Sequence, residues 1–402
     1  MSLCPVSFVN SMMMKKHIFI SAAKRGLTAL AVFVLLVEGG LSSCTRADVF
    51  SSEQVQQVAD RVAEWQIQAF PSMDEQRIWK STAAVSWENA VFLTALYEWA
   101  QFTSNEPWQQ WCAYIADTSA YRLPDRHRIY HADNFPIGLM YARMYQALHD
   151  SAFLTPTYDV LSFIVANPPV GTYAMDGSLT DKDHWTWCDA LYMAPPTYAA
   201  FAVLMNDTAV MNLCHREYKG TYDALYNPAD SLFYRDASYF PKREQNGQPV
   251  YWGRGNSWVL GGLARLLSVL PPTDEHYDWY VALFREMAQK IASLQDDQGA
   301  WHASMLDPDS YPAPEMSSTG LFAYALWWGI NNGILDEATY LPHARKAWQA
   351  LVSSVHPDGM LGYVQPVGAD PQSVTADMTE TYGAGAFLMT AQQILIYNTN
   401  HQ

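Results

Sequence analysis

The stretch Tyr226–Leu267, YNPADSLFYRDASYFPKREQNGQPVYWGRGNSWVLGGLARLL, decides the fold. Residues 226–255 scatter Pro, Gly, Asn and Asp at irregular spacing and read as a long loop. Apolar residues then recur at helical spacing over 256–270, with Gly261 and Gly262 inside the run. A short link at 271–275 leads to a more charged helix over 276–295, which carries Arg285, Glu286 and Lys290. The unit is a long loop, a helix rich in small residues, a tight turn and a polar helix.

That unit recurs along the chain. Periodicity predicts helices at 52–70, 86–104, 107–119, 134–149, 156–166, 188–205, 210–225, 256–270, 276–295, 317–331, 338–354 and 381–396. Tight links alternate with long ones at 71–85, 120–133, 167–187, 226–255, 296–316 and 355–380. Hairpins with their tight turns at one end place all the long loops at the other. Helices that follow long loops carry Gly138, Ala142, Ala194, Ala199, Gly320, Ala323, Gly383 and Gly385, so they can approach closely as an inner ring. Helices 210–225 and 276–295 are more charged and suit an outer ring. The expected fold is all-α, a closed ring of six helical hairpins or (α/α)6 barrel; the competing arrangement is an open solenoid. Within the long loops, Ser231–Asp236 and Pro249–Trp252 flank Asn246-Gly247 and predict a β-hairpin. Ala300–Met305 and Met360–Val364 predict further extended segments.

The first 44 residues read as a signal rather than as part of the fold. Lys15, Lys16, Lys24 and Arg25 precede an apolar run from Leu27 to Val37, and Leu41-Ser42-Ser43-Cys44 follows. The run is too short to span a bilayer. The Leu-Ser-Ser-Cys segment resembles a bacterial lipobox, with Cys44 the lipidated residue and Met14 a candidate start. The expectation is an exported bacterial lipoprotein, in the periplasm or at the outer membrane, that touches membrane only through the lipid on Cys44. Residues 45–402 then form a single domain. Beyond Cys44 the cysteines are Cys112, Cys188 and Cys214, an odd number with no Cys-x-x-Cys spacing. Neither a disulfide framework nor a zinc site is indicated.

Composition narrows the partner. The 402 residues are 50% hydrophobic and 14% aromatic but only 16% charged, with a net charge of −16. The apolar share excludes disorder as the main state. An acidic chain gains nothing from releasing counterions off a phosphate backbone, which argues against nucleic acid. Many rings together with acids suit a sugar.

Long loops on a rigid scaffold are where sites are built. The starts of the inner helices read Trp87-Glu88, His131-Ala132-Asp133-Asn134, His184-Trp185-Thr186-Trp187-Cys188-Asp189, Trp252-Gly253-Arg254-Gly255-Asn256-Ser257-Trp258, Pro314-Glu315-Met316-Ser317-Ser318 and Thr379-Glu380-Thr381-Tyr382-Gly383. Five of the six carry an acid, and the remaining one carries Arg254. Acids at helix starts are common caps and complement the macrodipole. Capping does not ask for adjacent tryptophans, nor for an arginine at a helix N-terminus. Arg254 therefore reads as a ligand clamp or an ion-pair partner, and Trp87, Trp187 and Trp258 as core or as sugar-stacking rings.

These motifs carry a family resemblance. WTWCDALYMAPP (185–196), ADNFPIGLMY (132–141), YWGRGNSWVLGGLARLL (251–267), YPAPEMSSTGLFAYALWWGINNG (311–333) and TETYGAGAFL (379–388) resemble glycoside hydrolase family 105. These are the unsaturated rhamnogalacturonyl and uronyl hydrolases, related to family 88. The resemblance covers most of 60–395 and implies the (α/α)6 barrel independently of loop lengths. It also implies hydration of the C4=C5 double bond of the terminal unsaturated uronic acid that a polysaccharide lyase leaves, on oligosaccharides of pectin or rhamnogalacturonan type. By position, Asp189 corresponds to the general acid/base and Asp133 to the second carboxylate. Arg254 and Trp258 match the pair lining the sugar pocket, and Trp187 the ring beside the acid. Trp87, His184 and Glu315 are further substrate-binding candidates. Arg235 stands where many members have a pocket histidine, and Met316 replaces a small polar residue, so the preference for the attached sugar is open. The hydration needs no cofactor.

Alternatives remain at this point. One is an ordinary two-carboxylate glycosidase acting on saturated substrates through Asp133 and Asp189. Others are an epimerase or lyase on the same scaffold, or a non-catalytic glycan-binding lipoprotein. Dinucleotide, P-loop, zinc-protease and serine-elbow motifs are missing from the sequence. Asp307-Pro308-Asp309 and Asp181-Lys182-Asp183 lack calcium-loop spacing.

Overall fold

In the computed structural model, which describes residues 48–69, 84–124, 128–170 and 183–401, each tight turn joins two antiparallel helices. In chain order the helices are α1 Ser52–Ala69, α2 Trp87–Phe102, α3 Glu106–Thr118, α4 Pro136–Leu148, α5 Thr155–Ala166, α6 Ala190–Met193, α7 Pro195–Met205, α8 Thr208–Leu225, α9 Gly253–Leu267, α10 Tyr277–Ser293, α11 Met316–Asn331, α12 Glu337–Ser353 and α13 Thr381–Asn400. The signal segment and Cys44 lie outside the described residues. No described helix is long and apolar enough to cross a membrane.

The ring closes. Around it α2 packs on α4, α4 on α7, the α6–α7 pair on α9, α9 on α11, α11 on α13 and α13 back on α2. The contact between the last inner helix and the first separates a barrel from a solenoid. Helices α3, α8, α10, α12 and α1 pack outside α2, α7, α9, α11 and α13 respectively. Burial follows position. Every residue of α11 from Met316 to Ile330 is buried. By contrast, α10 buries a stripe through Tyr280, Phe284, Met287 and Ile291 and leaves its other face wet.

Small residues set the spacing of the inner ring. A Cβ on Gly262 of α9 would lie 2.5 Å from the Leu191 carbonyl oxygen and 2.8 Å from Tyr192 Cα in α6. Backbone meets backbone at that seam, and no rotamer change could make room.

Three expectations need correction. The helix expected over 188–205 is two, because Pro195 and Pro196 open a new helix at Ala194 and leave α6 a single turn. Helix α9 begins at Gly253, three residues before the expected start at 256, so Arg254 lies in its first turn. The strand Leu232–Phe233 pairs with Tyr226–Asn227 rather than with 249–252. Asn246-Gly247 still makes a tight turn, with Gly247 at φ +84° and an antiparallel bridge between Arg243 and Pro249. Trp252 bridges to Ser304 instead.

Gly262→Val therefore overpacks the α6–α9 seam. The expected outcome is a loss of about 1–3 kcal/mol in urea unfolding with the helical circular dichroism retained. An unchanged midpoint would show that the seam has slack.

Candidate active site

Asp189 is the first group to place. It is the N-cap residue of α6, with φ −61° and ψ −28°, and its carboxylate makes no capping bond. The long link that leads into α6 puts this end on the long-loop side of the barrel. The Cys188 thiol donates to Asp189 Oδ2 at 3.5 Å. Burial pushes that thiol well above its ordinary range, and the charge of Asp189 adds to the effect, so Cys188 stays protonated.

Asp133 lies in a 3₁₀ turn, Ala132–Asn134, that packs against α6. Rings tie the two turns together: His131 and Trp187 meet with centroids 4.9 Å apart. His131 Nδ1 accepts the Asp133 amide at 3.2 Å and lies 3.8 Å from Asp133 Oδ2. Both aspartates are half-buried, whereas Trp187, Cys188 and Ala132 around them are buried. The turns carrying the two expected carboxylates are thus neighbours at one end of the barrel.

Arg235 joins this group. The Cys188 amide donates to the Arg235 carbonyl at 2.9 Å, which pins the Arg235 loop to the residue before Asp189. The guanidinium pairs with Asp236. Burial works to lower its proton affinity, but the charges of Asp189 and Asp236 outweigh that and raise it. Arg235 Nε is buried with no hydrogen-bond partner in the protein. Asp236 also accepts the Ser238 amide at 2.9 Å, and Tyr239 next to it reaches the Asp370 carboxylate and the Ala369 carbonyl.

An aromatic cluster adjoins the acids. Trp87 stacks on Tyr382 at 5.5 Å and meets Trp258 edge-on at 6.2 Å. Tyr192, in α6, closes on Trp258 at 4.6 Å. Of the three tryptophans considered as sugar platforms, Trp187 and Trp258 are buried and Trp87 is half-buried.

Arg254 occupies a different place from the one expected of a ligand clamp. It is 1% exposed, sandwiched with its guanidinium 4.5 Å from the Trp252 ring and 5.2 Å from Tyr382. Nη1 donates to the Gln365 carbonyl and to Tyr382 Oη at 2.9 Å; Nη2 donates to the Pro366 carbonyl at 3.0 Å. This arginine holds the last long loop against α9. Glu315 is likewise structural in its contacts. Fully buried, it caps α11 by accepting the amides of Ser317 at 3.1 Å and Ser318 at 2.8 Å, and it also takes the Gln365 amide at 3.0 Å. His184 is buried away from the acids and pairs through Nδ1 with Glu217 of the outer helix α8 at 2.8 Å. Met316 is fully buried behind Glu315.

Sequence reasoning left out Gln365, Tyr382 and the Tyr239–Asp370 contact. Tyr382 was visible as one more ring at an inner-helix start. Gln365 had no signal, because its role comes from four partners distant in sequence.

Among the described residues there is no group of His, Cys, Asp and Glu side chains able to hold a metal ion. Half-buried carboxylates beside a guanidinium and a half-buried tryptophan can bind an acidic sugar and move a proton.

The whole barrel has known relatives. The sequence model described as Glycosyl Hydrolase Family 88 matches residues 58–397. An unsaturated 3S-rhamnoglycuronyl hydrolase of Alteromonas sp. (strain LOR) is 32% identical over 356 residues, covering 85% of this chain and 86% of the relative. A protein of the same name from Formosa agariphila is 38% identical over 279 residues, 67% of this chain and 74% of the relative. The solved structure of a glycosyl hydrolase family 88 protein from Bacteroides vulgatus superposes with a TM-score of 0.74 at 29% identity, covering 86% of this chain and 99% of that one.

The capping geometry of Glu315 makes a test. Glu315→Gln keeps the shape but weakens the acceptors of three backbone amides. We expect stability to fall by about 1–3 kcal/mol in urea unfolding, with KM little changed in the fraction that stays folded. A substrate-binding role would show the reverse.

Proposed function

Because the chain belongs to Glycosyl Hydrolase Family 88, we propose that this unsaturated uronyl hydrolase removes a terminal 4,5-unsaturated glycuronic acid from rhamnose-containing oligosaccharides by hydrating the C4=C5 bond. The observation that carries the reading is Asp189, uncapped at the start of α6, beside the turn that bears Asp133. The names of the two relatives support rhamnose as the neighbouring sugar.

The chemistry uses this chain's own groups. Asp189 delivers a proton to C4, and the positive charge that develops at C5 is shared by the ring oxygen. Water adds to C5 and gives its proton to a carboxylate, either the Asp189 just emptied or Asp133. The resulting hemiketal opens: the C5–ring-oxygen bond breaks, C5 becomes a ketone, and the ring oxygen leaves as a hydroxyl on C1. That hemiacetal collapses to an aldehyde and releases the next sugar. One water is consumed. Arg235, already drawn toward Asp189, supplies the cation for the carboxylate that C5 bears, while Arg254 is engaged with the last loop. Trp87 offers the ring face.

The ultraviolet absorbance of the conjugated enol ether reads the reaction directly. With lyase-generated glycuronyl–rhamnose oligosaccharides, the wild type should abolish the absorbance. Asp189→Asn should slow that loss by about 10²-fold or more with an unchanged circular dichroism spectrum. Arg235→Gln should raise KM about tenfold, with partial rescue by Arg235→Lys. Cleavage of a matched saturated oligosaccharide at a similar rate would instead favour an ordinary glycosidase. A rise in absorbance would mean elimination by a lyase.

The N-terminal sequence extends the proposal to an exported lipoprotein anchored through Cys44. Expressed from its own signal in a bacterial host, the wild type should sediment with membranes. Cys44→Ser should move to the soluble fraction, and sedimentation of that variant would refute the anchor.

A further inference from the structure

The inner helices end together at the tight-turn side of the barrel, away from the acids. There the described residues leave a cavity of about 460 Å³. Its walls include Glu98, Phe102, Arg143, Arg265, Trp328 and Gln392. Asp133, Asp189 and Arg235 take no part in it.

Its charge is unbalanced. Glu98 accepts from Arg143 Nε at 2.9 Å and from Arg265 Nη1 at 2.5 Å. Burial works to raise the Glu98 carboxyl, but the two guanidiniums overcome it and hold Glu98 below the ordinary carboxylate range. Two cations therefore face one anion, and the lining holds no other acid. A guanidinium offers five N–H donors, more than a shared carboxylate can fill for two of them. Arg265 is 4% exposed, and its Nε has no acceptor in the protein. A buried donor left bare is costly. The negative ends of the inner-helix dipoles explain why cations collect here. They do not explain an open, partly apolar mouth beside two guanidiniums that share one carboxylate, where Phe102 is 42% exposed.

We propose that this cavity is a second binding site, for a small organic carboxylate with a ring-sized body. The carboxylate would take the donors that Glu98 and Gln146 leave open on Arg143, with the charge of the buried Arg265 behind it. The ring would lie on Phe102 and Trp328. The volume suits one such molecule. Nothing in this proposal depends on the chemistry assigned to the opposite rim.

Isothermal titration calorimetry on the purified protein tests it, with D-glucuronate, benzoate and D-glucose as probes. At least one of the two carboxylates should bind at a single site, and glucose should not. Binding of glucuronate alone would assign an acidic sugar, and of benzoate alone an aromatic acid. Arg143→Gln should weaken binding about tenfold. Gln392→Trp, which adds bulk at the mouth and leaves the buried charges in place, should abolish it. Arg235→Gln, which removes the cation proposed for the uronate carboxylate at the opposite rim, should leave it intact, which places the heat away from the acids even if the proposed hydrolysis is wrong. The proposal fails if neither carboxylate binds, if glucose binds equally well, or if binding survives both Arg143→Gln and Gln392→Trp.

Discussion

Close backbone approach among the inner helices is the constraint on which the rest depends. Gly262 meets the Leu191 carbonyl, Gly385 meets Val91, Gly320 meets Ala386, and Gly138 meets Thr197; a Cβ at each would lie within 3.0 Å of its neighbour. These contacts fall on four different seams of the ring. Helices that pack this tightly around a closed circle must all run the same way, since each returns through an outer partner. Their N-termini are then gathered on one rim by the path of the chain, before any side chain of the site is chosen.

That arrangement has an electrostatic consequence. Parallel helices add their dipoles, so the rim with the N-termini favours anions and the opposite end favours cations, by about 0.3–1 kcal/mol for each exposed charge. The acids Asp133, Asp189, Glu315 and Glu380 stand at the first end, and Arg143 and Arg265 at the second. The scaffold thus tolerates a cluster of carboxylates that would repel one another elsewhere. What distinguishes the acids is where their oxygens go. Glu315 turns back onto the amides of its own helix, whereas Asp189 does not cap its helix. A carboxylate at the same kind of position caps its helix in one case and does not in the other.

The ring was legible because loop length and small-residue content survive in one dimension. So was the neighbourhood of the two aspartates, since both open consecutive inner helices. Legibility stopped at partners. Arg254 looks like a clamp in sequence because an arginine at a helix start is disfavoured; only the fold shows that the carbonyls of Gln365 and Pro366 and the Tyr382 hydroxyl take its terminal donors, while Nε has no partner in the protein. The split at Ala194 was written in Pro195-Pro196 but was outweighed by the apolar periodicity on both sides. The strand pairing of Leu232–Phe233 with Tyr226–Asn227, across a four-residue turn, won over the Asn-Gly signal because the closer segment reaches it first.

Long loops are the weakness of this architecture, and buried polar groups are how this chain manages it. Gln365 shows the principle. Its amide donates to Glu315, its carbonyl accepts from Arg254 and Tyr382, and its side chain accepts from Trp252 and donates to the Asp370 carbonyl. Three rim segments are thereby stitched through one residue that no periodicity marks. Such a network is costly to bury and stabilises only when every member is satisfied. In return it holds the loops to a single arrangement, which a proton transfer between groups on separate segments requires. Arg254 and Glu315 therefore hold the rim together from within. Removing either would loosen the last long loop, which the Tyr239–Asp370 contact ties to the segment that carries Arg235.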